Sequence, residues 1–172
     1  MANPDLPNGF EAAGSFKRVG RYERDADSSV PICPGDIVFM AADGNIDSVG
    51  VDADSQDIVG AALTFATGSA AKTDVMVADD PHQVFIGQDD GVGITVSQAE
   101  VGGMADVLST AGSVSPIRSN HEIDISGASA SAAQLRLMSF VQHPEYTVGN
   151  NSLWEVMIGE HLWGLSEDRS GI

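Results

Sequence analysis

Between Val30 and His161 the sequence breaks into short apolar runs of four to eight residues, separated by turn signals: "DIVFMAAD", "DIVGAALTFAT", "TDVMVAD", "HQVFIGQ", "GVGITVS", "HEIDIS", "AQLRLMSFVQ" and "SLWEVMIGEH". Eight such runs in about 130 residues constrain the chain more than any other feature, because this spacing suits short antiparallel strands. The expected fold is mainly β, an antiparallel β-barrel or β-sandwich with an extended N-terminal arm and at most one short helix.

Side-chain alternation supports strands. In "QLRLMSFVQ", Leu135, Leu137, Ser139 and Val141 fall on one face, and Arg136, Met138, Phe140 and Gln142 on the other. Both faces are partly apolar, which predicts that both meet protein. In "LWEVMIGEH", Trp154, Val156 and Ile158 share a face opposite Leu153, Glu155 and Met157. Helix signals are confined to "SQAEVGGMADVLSTAG", where Ser97 and Glu100 have the spacing of a capping box and Gly102-Gly103 stops propagation.

The formal charge of −17, from 8 Lys and Arg against 25 Asp and Glu, disfavours a nucleic-acid partner, since phosphate binding needs cations. Four of those cations, Lys17, Arg18, Arg21 and Arg24, lie in the first 24 positions with only Asp5, Glu11 and Glu23 as counterweight. This stretch also has two Pro turns and no sustained periodicity. It reads as an extended arm over residues 1–27, followed by a β domain over 28–164 and a polar tail over 165–172. Cys33, in "PICPG", has no second cysteine to pair with and reads as a turn-flanking apolar residue. The N-terminus carries no leader pattern and the longest apolar run, "IVGAALTFA", is too short to span a bilayer, so the expectation is a chain made in a cytoplasm, with no membrane partner.

Motifs for chemistry are sparse. Asp79-Asp80 and Asp89-Asp90 flank a strand and read as turn acids in water rather than as an acid/base pair. Asp43, Asn45, Asp47 and Asp54 match part of a calcium loop, but Ser48 stands where that loop has Gly, and a hairpin turn at Asp43-Gly44 explains the same residues. His82, His121, His143 and His161 follow no zinc spacing, and neither a nucleophile elbow nor a phosphate loop is present. The sequence therefore gives no catalytic, metal or cofactor residues.

Three stretches carry a resemblance: "NPDLPNGF" followed by the basic cluster, the aspartate-rich "VADDPHQVFIGQDD", and the ordered C-terminal pattern "QLRLMSFVQHPEYTVGNNSLWEVMIGEH" from Gln134 to His161. Together they resemble the capsid decoration, or cement, proteins of tailed bacteriophages. That resemblance implies a non-enzymatic virion protein, synthesised in the host cytoplasm and bound to the major capsid protein on the outer surface of the head. It further implies homotrimers at threefold and quasi-threefold positions. Interface candidates are Phe10, Lys17, Arg18, Arg21 and Arg24 at one end and Leu162 and Trp163 at the other. The alternative reading is another virion part, such as a tail-tube, head-completion or host-contacting protein, and a small β enzyme using its acids on a metal is a third.

Overall fold

In the computed structural model, residues 3–48, 57–68, 73–93, 95–129, 133–142 and 144–164 are described. They form eleven strands: β1 (Glu11–Ala12), β2 (Val19–Glu23), β3 (Ile37–Met40), β4 (Ile46–Ser48), β5 (Ile58–Ala62), β6 (Asp74–Ala78), β7 (Val84–Gln88), β8 (Met104–Val114), β9 (Ile117–Ser129), β10 (Leu135–Phe140) and β11 (Leu153–Ile158). A single turn of 3-10 helix, Gln98–Glu100, is the one helical element among them. Its Ser97 cap and Glu100 make the reciprocal bonds that their spacing predicts.

The strands pair antiparallel in two sheets. One runs β1-β7-β11-β10-β8-β9 and the other β2-β6-β5-β3-β4. The six-stranded sheet curls until β9 touches the end of β7, through an Asp89 to Ile123 bridge and the bond from Asp90 N to Ile123 O at 3.0 Å. It is a half-barrel laid against the second sheet, so the expected β architecture holds.

The core follows from the apolar pattern. Trp154, Val156 and Ile158 of β11, Leu135 and Leu137 of β10, Phe85, Ile123 and Ile125 meet Ile37, Ile58, Ala61 and Ala78 from the second sheet. A separate cluster of Ile32, Val38, Ile46, Val59, Ala62, Val75 and Val77 lies on that sheet's other face. β5 is therefore covered on both sides, which is why "IVGAA" is apolar without alternation. The Asp43-Gly44 turn closes the β3–β4 hairpin, with Asn45 N bonded to Asp43 Oδ1.

Two expectations are corrected here. A register shift between Leu137 and Ser139 changes the phase of β10, so Phe140 turns inward onto Trp154 with ring centroids 3.9 Å apart. Arg136 and Met138 are left exposed, so the outer face of β10 is not covered by the described residues. The N-terminal segment is extended, but its described residues belong to the body rather than to an arm. Asn3 bonds Thr147 and Asn150, β1 pairs with β7, and β2 pairs with β6 along its full length. The physical reason is Phe10, an aromatic that fills the main core, together with the close approach of Gly9 to Gly35 and Ser119, where any Cβ would collide.

Candidate functional site

The interface candidates divide sharply. Phe10 and Arg24 are buried in the protein's own interior. The Arg24 guanidinium donates to the Ser28 and Val30 carbonyls, so it is not available to a partner. Lys17 donates from Nζ to the His82 carbonyl at 2.7 Å, and Arg21, well exposed, pairs with Asp74 across β2 and β6. Lys17 and Arg21 are thus matched by the turn after β6 and by β6, and Arg24 by the segment that follows β2.

Arg18 and Trp163 are brought together from opposite ends of the sequence. The Arg18 guanidinium, 53% exposed, lies 3.2 Å from Asp79 Oδ2 and 6.0 Å from the Trp163 ring centroid. Tyr22 OH donates to Asp79 Oδ2 at 2.5 Å and accepts from the Trp163 indole N–H at 3.4 Å. Burial, then Asp79, pushes the Tyr22 phenol up, so it stays a donor. Gly20 makes the arrangement possible, because a Cβ there would strike Asp79 and the Tyr22 ring. Leu162, by contrast, packs beneath on the second core cluster beside Tyr22, anchored by its N–H to Ile58 O at 2.7 Å. Trp163 remains 46% exposed on the Tyr22 side of the β2–β6 pair, whereas Val19, Arg21 and Met76, also exposed, alternate with Tyr22 and Val75 and lie on the opposite side. The result is an exposed aromatic beside one cation already matched by an acid, on an otherwise strongly acidic protein.

The paired aspartates do not behave as solvated turn acids. Asp79 and Asp89, the first of each pair, are buried. Asp89 Oδ1 accepts from Gly91 N and Asn151 N, and Oδ2 from Ser152 N and Trp154 Nε1, at 2.8–3.0 Å. Four donors on one carboxylate tie the end of β7 to the turn before β11. The second of each pair is the turn residue, Asp80 accepting from His82 N and Asp90 from Val92 N. Sequence reasoning missed this split because three of the four donors to Asp89 come from about sixty residues away.

One cluster has the residue types of a hydrolytic site. Cys33, Asp36, Ser119 and His121 are all buried where β3 meets β9. Asp36 Oδ2 accepts from Cys33 N at 2.7 Å, and His121 Nδ1 accepts from Ile37 N at 3.2 Å, which leaves the imidazole proton on Nε2 facing Asp36. Their 3.6 Å separation would qualify as an ion pair by distance but is long for a hydrogen bond. Burial holds His121 down to about 4 and pushes Asp36 up to about 6, so at neutral pH the histidine is uncharged and no ion pair exists. Burial, then Asp36, also pushes the Cys33 thiol up, away from a nucleophilic thiolate. The cluster is sealed and cross-links the two sheets.

Among the described residues no group of three or more His, Cys, Asp or Glu is placed to hold a metal, and no helix is long and apolar enough to cross a membrane. Asp54, His143 and the tail over 165–172 lie outside the described residues. No protein-family model, curated protein or solved structure matches the chain.

Proposed function

We propose that this chain is a capsid decoration protein of a tailed bacteriophage, which binds the outer surface of the head shell as a homotrimer at threefold and quasi-threefold positions and acts by contact, not catalysis. The observation that carries this reading is the convergence of Arg18 and Trp163 on one face. An amphipathic aromatic beside a cation is the composition of a protein contact centre. The charge of −17 makes the rest of the surface repel packaged nucleic acid, which favours an outer position. Each such contact is modest, and several within a trimer add through effective concentration.

Deleting residues 1–24 is not the informative test, since it removes β1, β2 and the Phe10 anchor. Substitution on the face is. Purified heads stripped of this protein are reloaded with it, and copy number and local symmetry are read from the particle density. Wild-type protein is expected as trimeric density at hundreds of copies per head. The R18A/W163A double variant is expected to bind the heads about tenfold or more weakly, the loss that truncating a central Trp or Arg anchor produces. Sixfold or twelvefold density would transfer the protein to a tail or connector. Equal binding by the double variant would exclude this face.

A further inference from the structure

A second surface, which shares no lining residue with the Arg18 and Trp163 contact, has the form of a binding site. Where the edge of the half-barrel meets the second sheet there is a cleft of about 380 Å³, lined by Phe10, Ala12, Phe16, Pro34, Leu63 and Ile117 with Asn8, Glu11 and Arg118 among them. Two of its apolar side chains are conspicuously unprotected for their size, Phe16 at 52% and Ile117 at 51% exposure. Its volume lies within the usual range of pockets that hold a ligand.

Arg118 is the unusual member. In a protein with 25 acidic residues it has no carboxylate partner among the described residues, and its one side-chain hydrogen bond there runs from a terminal nitrogen to Asn120 Oδ1 at a long 3.4 Å. Its Nε is buried and makes no hydrogen bond. A guanidinium against apolar walls without an anion leaves donors unmatched, which is costly unless something fills them. Glu11 does not, because it takes the Asn8 amide at 2.7 Å instead. A carboxylate is the natural complement, held by charge-assisted bonds.

We infer that this cleft binds an extended segment of a partner protein in which an acidic residue is flanked by aliphatic side chains, the carboxylate meeting Arg118 and the aliphatic groups covering Phe16 and Ile117. A polypeptide is favoured over a small amphiphile because the six-stranded sheet ends at β1, whose Glu11 and Ala12 both line the cleft. A strand edge at the site provides backbone groups that an added strand can pair with. The inference does not depend on the virion reading, since it uses only the cleft.

The test is a titration of the isotope-labelled full chain, followed by backbone amide NMR, with three probes: acetyl-Ala-Leu-Glu-Leu-Ala-amide, its Gln counterpart, and decanoate. The Glu peptide is expected to shift the amides of Glu11, Ala12, Gly35 and Arg118 and to bind about tenfold tighter than the Gln peptide, the difference of one charge-assisted contact. Arg118→Gln is expected to abolish that preference, and Phe16→Ala to weaken both peptides. Equal affinity of the two peptides for the wild-type chain, or shifts confined to other surfaces, would overturn the assignment. Saturation by decanoate without binding of either peptide would overturn it too, in favour of a small amphiphile.

Discussion

Asp89 is the residue on which the half-barrel closes. Burial pushes its carboxyl up while four N–H donors pull the other way, and the net direction is upward. Its value to the fold is geometric: both oxygens are saturated, and the donors come from Gly91, Asn151, Ser152 and the Trp154 indole. Asp89→Asn keeps the volume but turns one oxygen into a donor facing two other donors. The expected cost is about 3 kcal/mol of unfolding free energy in urea titration, together with a shifted Trp154 emission, because buried donors left without an acceptor carry their full desolvation penalty. A loss below about 1 kcal/mol would mean that the network is incidental.

At the scale of elements, the closest approach in the second sheet is set by Gly60 of β5, where a Cβ would overlap the Ala78 carbonyl of β6. Gly60→Ala must push the two strands apart across a core buried on both faces. It is expected to destabilise by about 2 kcal/mol, as overpacking does, with the largest rise in amide exchange along β5 and β6. Unchanged exchange there would refute the close-packing account. The elements differ in how plainly the sequence announces them. The β3–β4 hairpin, the Ser97 cap and the inward face of β11 follow from local chemistry, because turn residues, caps and alternation act within a few positions. β1 and β2 do not: two residues in one case, and "VGRYE" with exposed alternate positions at a sheet edge in the other, leave no periodic signal, and only their partners β7 and β6 make them strands. The shift at Met138 is likewise invisible locally, since a bulge is decided by pairing with β11. The contact face was legible in part. Arg18 and Trp163 are recognisable by type, whereas the burial of Phe10, Arg24 and the first aspartate of each pair depends on residues far along the chain.

For the whole molecule, the charge imbalance and a few buried titratable groups decide how stability varies with pH. Burial, then repulsion from Asp5, Asp90 and Asp89, pushes Glu122 up to about 7 from an ordinary 4.5, and burial pushes Asp36 up to about 6 from 3.8. A raised carboxyl binds its proton more readily in the folded state, so each favours folding progressively as pH falls, from its folded value toward its ordinary one. His121 acts oppositely: held at about 4 against 6.5, it gives stability above 6.5 that is lost as pH falls toward 4. Asp36 and His121 titrate over nearly the same window with opposite sign and largely cancel, leaving Glu122 and the relief of self-repulsion from the charge of −17. The melting temperature is therefore expected to rise between pH 8 and pH 5 in low salt, the reverse of a protein stabilised by carboxylates in ion pairs. Added salt at pH 8 should raise it as well, by screening. Glu122→Gln should lift the pH 8 value and flatten the profile, while Asp36→Asn, which leaves the His121 contribution opposed by Glu122 alone among the two raised acids, should reduce the gain between pH 6.5 and pH 4. A wild-type melting temperature that drops on going from pH 8 to pH 5 would show that the loss of the uncharged His121 contribution outweighs the raised acids.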